Sequence, residues 1–330
     1  MNIHQKHTLF FFILLCLFAL GLFVSLLYGP VPTNFRNLWD LIINHDRTYA
    51  AIFLDLRLCR ALLAFLVGAS LSLSGAILQG YFQNSMADPF VVGVSSGASL
   101  GAVLCLFLGL DVAFFGFSSQ SVFAFASGFA IVTSVYLLSQ RKGVFKVETL
   151  LLTGIAAGAC ASSLTSFLLF FKSDSFEQAV FWLLGSFALS EWKQVSAVAP
   201  YFIFSLFIAQ WLAKDMNLLV LGDEVAQSLG CPVNRIRKIF LALSTLLAAV
   251  SVSVSGIIGF VGLIVPHWIR ILIGPDHRYL FFYSSLTGGI FLVFTDFLAR
   301  TLLFPTELPI GIITAAVGAP FFIYLLNQKR

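Results

Sequence analysis

Residues 93–97 read Gly-Val-Ser-Ser-Gly, the G-x-S-x-G spacing that presents a serine as a nucleophile. His267, in Val265-Pro266-His267, is the one titratable side chain in the middle of an apolar window and the candidate base. Such a pair would hydrolyse an ester or amide inside a membrane. That chemistry needs a strand-to-helix turn to expose the serine. Here the motif runs through Gly93, Gly97 and Gly101 at i, i+4 and i+8, and Gly154 and Gly158 repeat the spacing. Small residues at helical intervals let membrane helices approach closely, so these glycines read as packing and no catalytic residue is expected.

Other chemistry is sparse. Asp296 stands four residues before Arg300, which reads as an i,i+4 ion pair. A proton- or sodium-driven carrier wants a carboxylate near the membrane midplane, and the apolar windows offer none. The five cysteines (Cys16, Cys59, Cys105, Cys160, Cys231) are scattered without paired spacing and give neither a disulfide framework nor a metal knuckle. His267 and Met86 lack a supporting ligand cluster, so no metal or cofactor is expected. No G-x-x-x-x-G-K-[ST] occurs, so a pump built on this chain must borrow an ATPase.

The elements that position these residues are membrane spans. Hydrophobic residues make up 59% of the 330 and charged ones 10%, against roughly a quarter charged in soluble domains; mean hydropathy is +0.97. The 37 Phe, 8 Tyr and 5 Trp exceed what one water-soluble core can hide, and most of the phenylalanines are expected to face lipid. The net charge of +4 is spread over loops and does not mark a nucleic-acid surface.

Nine windows lack Asp, Glu, Lys and Arg: 8–35, 61–87, 89–110, 112–140, 149–171, 194–213, 239–269, 279–295 and 308–328. As one helix, 239–269 would run roughly 46 Å against about 30 Å of hydrocarbon. It contains Gly256, Gly259, Gly262 and Pro266, and a turn near Ser255–Gly259 divides it into spans at about 236–254 and 260–275. Ten spans with a cytoplasmic N-terminus place 12 of the 19 Lys and Arg inside (Lys6, Arg141, Lys142, Lys146, Lys214, Arg235, Arg237, Lys238, Arg270, Arg278, Lys329, Arg330), as the positive-inside rule favours. The other 7 are Arg36, Arg47, Arg57, Arg60, Lys172, Lys193 and Arg300. The first window lacks a small-x-small cleavage pattern and reads as a retained span. The whole chain, 1–330, reads as one all-α membrane domain with both termini cytoplasmic.

The inside segment 214–238 looks built for a partner. Asp223 and Glu224 follow Gly222, where a helix dipole favours acids. Gly230 can stop that helix, and Pro232 opens an element carrying Arg235, Arg237 and Lys238. Ser70–Ile77 matches Ser251–Ile258 at five of eight positions. The two copies run in opposite directions, as an inverted repeat of spans 2–5 and 7–10 requires.

Read in order, the segments resemble the FecCD-type permeases, membrane subunits of importers for iron-siderophores, haem and vitamin B12. The residues that carry the likeness begin with Arg57-Leu-Cys-Arg60, Gly68-Ala69, Ser74-Gly75, Gln79 and Gln83-Asn84-Ser85-Met86-Ala87-Asp88-Pro89. Gly93–Ala98, Trp182–Ser186 and Leu221–Glu224 with Ala226, Leu229 and Gly230 follow. The most specific block is Gly256–His267 with Arg270 and Asp276–Arg278, then Asp296 to Arg300, Glu307–Gly311 and Gly318–Phe321. The chain departs from the family pattern at Cys59, where proline is usual, and at Ser85-Met86, where Pro-Leu is usual. Losing proline lets a helix extend.

The resemblance implies ten spans, a homodimer in the cytoplasmic (inner) membrane, two ATP-binding-cassette ATPase subunits and an extracytoplasmic substrate-binding protein. It implies that Arg57, Arg60 and Arg300 dock glutamates of the binding protein, and that Asp223, Glu224, Ala226, Leu229 and Gly230 form the element seated in the ATPase. Gln79, Asn84, Gly93, Gly97, Pro266 and His267 are expected to serve the translocation path or helix packing. An iron-siderophore is the expected cargo, with haem or cobalamin as alternatives and an ion-coupled carrier as the rival class.

Overall fold

The computed structural model describes residues 3–29, 31, 33, 47–110, 118–141, 144, 145, 147–171 and 176–328. Arg36, Lys142, Lys146, Lys172, Lys329 and Arg330 of the charge count lie outside the described residues. Among the described residues thirteen helices follow in order: α1 (Ile3–Leu27), α2 (Arg47–Tyr81), α3 (Val94–Leu108), α4 (Ser119–Ser139), α5 (Val147–Phe171), α6 (Phe176–Leu183) and α7 (Trp192–Trp211). Then come α8 (Ala213–Val220), α9 (Asp223–Ser228), α10 (Val233–Ser255), α11 (Val261–Ile273), α12 (His277–Thr301) and α13 (Ile310–Gln328). A two-residue antiparallel ladder, Gln140 with Phe145 and Arg141 with Val144, is the sole strand pairing among the described residues. It is the one departure from all-α.

Among the described residues, seven helices are long and apolar enough to cross a membrane; Val94–Leu108, Val261–Ile273 and Ile310–Tyr324 are shorter apolar helices. These helices fall on the apolar windows read from the sequence. Exposed Phe12, Phe167, Phe170, Phe171, Phe204 and Phe207 stud the perimeter, where lipid rather than water makes aromatic exposure favourable.

The centre belongs to α2, which is buried from Val67 to Tyr81 and packs against α7, α10, α11 and α12. Glycines set this closeness. A Cβ on Gly75 would collide with the backbone of Gly262, and one on Gly68 with that of Gly288. Helix α2 extends upstream of the apolar window 61–87 read from the sequence: it starts at Arg47 and passes through a π-helical stretch, Ala51–Leu58. The Cys59 N–H donates to the Leu54 carbonyl. Proline has no N–H to give, so cysteine at this position permits the continuous helix. At the other end α2 stops at Tyr81, and Gln83 takes φ +50° in the turn that follows.

The break between α10 and α11 falls at the predicted turn. Gly256 adopts φ +70° and Phe260 φ +68°, and a Cβ on Gly256 would meet the Trp182 carbonyl. In the other repeat copy, Ser74-Gly75 continues as helix inside α2. The carbonyl at the start of the break is taken up by protein, Ser186 N–H donating to Ser255 O (2.8 Å), and the 184–185 turn beside it accepts from Ile310 and Gly311 N–H (Gly185 O and Leu184 O, both 3.0 Å). Irregular backbone at membrane depth is tolerated where protein surrounds it.

Candidate coupling face and charge-paired end

Helices α8 and α9 lie at one end of the bundle, beside the last turn of α2. Gly222 (φ +107°) turns the chain into α9 and Gly230 (φ +83°) turns it out, with Cys231 N–H closing on Ala226 O at 3.0 Å. Asp223 and Glu224 occupy the first turn of α9, as its dipole favours. Ala226 is fully buried, while Leu221 and Leu229 are 60% exposed and Val225 45%. A small anchor thus holds a helix whose remaining apolar side chains face outward.

Charge ties this helix to the core. Asp223 Oδ1 accepts from Arg237 Nη2 at 2.7 Å, and Arg237 Nη1 donates to Tyr81 O at 3.2 Å while its guanidinium lies 5.1 Å from the Tyr81 ring centre. Gln83 Nε2 donates to Leu219 O at 2.7 Å. The five residues expected in the coupling element are therefore contiguous at one end and joined to the end of α2.

Gln79 is buried and links α2 to α11. Its Nε2 donates to Leu263 O (3.0 Å) and Gly262 O (3.4 Å), and its Oε1 accepts from Arg270 Nη1 at 2.9 Å. Pro266, inside α11, cannot supply the i→i−4 bond to Gly262 O, so Gln79 serves the carbonyl that proline leaves open. A cavity of about 530 Å³ opens beside this link, lined by Gln79, Gln83, Asn217, Arg270, Asp276 and His277. Asp276 caps α12 through Arg278 N–H at 3.0 Å. The Arg278 guanidinium, with help from Asn217, holds its carboxyl well below the usual carboxylate range.

The other expected path residues divide differently. Asn84 is exposed and builds a turn, its Oδ1 accepting from Met86 N–H at 3.0 Å. Gly97 packs α3 on α4, where an added Cβ would lie 2.9 Å from Gly128 Cα. Gly93 is the cap of α3 at φ +94°, not an interior helical residue as its spacing suggested. A 3-10 turn, Pro89–Val92, precedes it, so Ser95 is not on a strand-to-helix elbow. His267 is half-buried on α11, one residue after Pro266.

At the opposite end, Arg57, Arg60 and Arg300 are 4%, 8% and 2% exposed. None is a free surface guanidinium. Arg60 grips Asp296 through Nε and Nη2 (each 2.9 Å to Oδ1) and reaches Glu307 Oε2 through Nη1 at 2.9 Å. Arg300 pairs with Asp296 at 3.2 Å and donates to Ser25 Oγ at 2.7 Å. Arg57 binds the carbonyl of Leu27 (2.9 Å) and the hydroxyl of Thr33 (2.6 Å), with Leu26 O and Val31 O beside them. The i,i+4 pair read from the sequence is present, but it is one edge of a network that also requires Arg60, 236 positions away. Counting intramembrane charges of opposite sign across different spans was the available signal for that partnership.

A profile of the FecCD transport family matches residues 16–328. The chain belongs to this family. A cobalamin import permease of Halobacterium salinarum is 44% identical over 275 residues, 83% of this chain and 73% of the relative. A hemin transport permease of Yersinia pestis is 38% identical, covering 97% and 95% of the two chains. An Fe(3+) dicitrate transport permease of Escherichia coli is 36% identical over 99% and 100%. A solved metal-chelate type ABC transporter in an inward-facing conformation superposes with a TM-score of 0.85 at 32% identity, over 96% of this chain and 98% of that one. In this FecCD-family chain, the Cys59 N–H keeps the backbone bonding of α2 continuous past its π-helical stretch, whereas Ser85 and Met86 sit in a turn already closed by Asn84.

Proposed function

We propose that this chain is the permease subunit of a binding-protein-dependent ABC importer that carries an iron-siderophore-type chelate across the cytoplasmic membrane. It is not itself an enzyme. The single observation that carries this reading is α9: a short helix anchored by Ala226 and tied by Asp223 to Arg237, with Leu221, Val225 and Leu229 left exposed. A charge-tethered apolar face outside the bundle suits a groove on an ATPase, and no phosphate cradle exists in the chain itself. Asp223, Glu224, Ala226, Leu229 and Gly230 are its coupling residues.

In this reading the chain, 1–330, is one domain of ten spans with an inverted repeat and both termini cytoplasmic. It pairs with a second copy, two ATPase subunits and an extracytoplasmic binding protein. The end carrying Arg57, Arg60 and Arg300 meets the binding protein, and since all three are already bonded, docking carboxylates would compete with Asp296, Glu307 and backbone carbonyls. Gln79 and Pro266 set the geometry of α11 along the path, with His267 beside them; Asn84, Gly93 and Gly97 shape turns and packing. Haem and cobalamin are the alternative cargoes, because relatives of similar identity carry those names.

The test is uptake of labelled ferric siderophore, haem and cobalamin in cells with and without the chain. Uptake of one cargo restored by the chain, abolished by ATP depletion and persistent under a proton and sodium uncoupler is the expected result. Collapse under the uncoupler with ATP intact would select an ion-coupled secondary carrier instead.

A further inference from the structure

A groove of about 180 Å³ runs between α4 and α10 on the perimeter of the bundle. Phe129, Val132, Thr133 and Tyr136 line it from α4 at i, i+3, i+4 and i+7, the spacing of one helical face. Lys238, Leu241, Ala242 and Thr245 line it from α10 in the same rhythm. Phe129, Thr133 and Ala242 are exposed, while Val132, Leu241 and Thr245 are buried and form the floor.

The groove has a polar end and an apolar body. Both threonine hydroxyl protons are spent within their own helices, on Phe129 O (2.8 Å) and Leu241 O (2.7 Å), so the body presents mainly hydrocarbon. Tyr136, in the last turn of α4, and Lys238, in the second turn of α10, stand at the end of the bundle that carries α9. Tyrosine is favoured at the membrane–water boundary. From Lys238 to Thr245 the groove extends about 10 Å along the helix, most of the roughly 15 Å depth of one leaflet.

Charge at the polar end is unspent. Lys238 is exposed and enters no ion pair among the described residues. Exposed Arg235 lies one turn before it, whereas Arg237 is committed to Asp223. No Asp or Glu is among the described lining residues. In sequence, the segment joining α4 to α5 adds Arg141, Lys142 and Lys146, followed by one acid, Glu148. Basic pockets between membrane helices attract anionic lipid headgroups.

We infer that this groove binds one anionic phospholipid, its acyl chain along Phe129, Val132, Leu241 and Ala242 and its phosphate on Lys238. The volume falls below the roughly 300 Å³ at which pockets for small organic ligands begin, which suits a single chain and excludes a compact ligand. An acidic side chain of a partner protein would satisfy Lys238 but leave the apolar body, at hydrocarbon depth, unfilled. The inference requires only that the chain spans a bilayer; it is independent of the cargo and of the ATPase.

The experiment is native mass spectrometry of the full-length chain, delipidated in detergent and titrated with phosphatidylglycerol or phosphatidylcholine of identical acyl chains. One phosphatidylglycerol should be held about five-fold more tightly than phosphatidylcholine, the effect of one cation near the membrane surface. Lys238→Gln should remove that preference, and Lys238→Arg should keep it. Ala242→Phe, which fills the groove from an exposed position, should expel the lipid. Lys214→Gln, exposed at the same end but outside the groove, should change nothing. Because Lys238 and Ala242 are exposed, their variants should unfold in lipid-free detergent at the native temperature, which separates lost lipid from lost fold. Equal retention of the two lipids, or a preference that survives Lys238→Gln, would overturn the anionic headgroup. Binding unchanged in Ala242→Phe would overturn the groove, and so would a loss in Lys214→Gln equal to that in Lys238→Gln, which is diffuse attraction to the whole surface.

Discussion

Gln79 and Pro266 are partners without touching through a bond of their own: the amide of Gln79 on α2 donates to Gly262 O, the carbonyl that Pro266 on α11 cannot serve. A proline in a membrane helix is costly unless a neighbour re-satisfies the freed carbonyl. Here the neighbour is 183 positions away in sequence and also holds Arg270 through its other end.

Removing that amide therefore has a defined consequence. Gln79→Ala leaves two carbonyls of α11 and the Arg270 guanidinium without this partner, at a cost of about 1–3 kcal/mol. Thermal unfolding in detergent should show the loss. Double substitution with Pro266→Ala, which restores the backbone donor to Gly262, should cost less than the sum of the two single changes. Strict additivity would show that Gln79 and Pro266 act separately.

The Asp296 network predicts a larger effect. Asp296→Asn strips the counter-charge from Arg60 and Arg300, both almost fully buried. Breaking a buried pair in this way costs about 3–5 kcal/mol. The protein should accumulate poorly in the membrane or unfold at markedly lower temperature, while Glu307→Gln, at the half-exposed edge of the network, should cost far less. Similar stability of the two variants would refute the hierarchy.

For α9, Leu229→Glu and Gly230→Trp place charge or bulk on the exposed face proposed for coupling, without entering the core. Gly230 also holds φ +83°, so any side chain adds about 1–2 kcal/mol of local strain. Both variants should reach the membrane yet lose ATPase association and transport-stimulated ATP hydrolysis, read by co-purification and phosphate release. Retention of both would remove α9 from the coupling role.

Asp276 sets a pH expectation. Its carboxyl lies below the ordinary value of 3.8 because Arg278 and Asn217 bind the charged form. The stability it contributes is therefore fully present above that ordinary value and is lost as pH falls below it. The stability difference between the native chain and Asp276→Asn should be flat from about pH 5 to 8 and shrink on acidification below about pH 4. A difference that changes between pH 6 and 8 would assign the effect to another group.

Much of the fold could be read from the chain because lipid imposes one rule on every span. Each must be apolar, about 20 residues long and satisfied within its own backbone. The windows, the turn after Ser255, the short helix from Asp223 and the stop at Gly230 are all local patterns of hydropathy, glycine and charge. The upstream extension of α2 was hidden because Arg47, Asp55, Arg57 and Arg60 gave 47–60 the look of a polar loop. Asp55, Arg57 and Arg60 are met by Trp192, by carbonyls and by Asp296, none of which is adjacent in sequence.

Sequence alone thus determined the apolar core of each span, the break after Ser255 and the short helix that starts at Asp223, since these depend on residues within one or two turns of each other. Tertiary structure alone decided that Asp296 belongs to Arg60 as much as to Arg300, that Gln79 repairs Pro266, and that the three arginines are already occupied. Those pairings join positions up to 275 residues apart. A buried charge or open carbonyl declares only that it needs a partner, and it is the packing of helices that determines which one it gets.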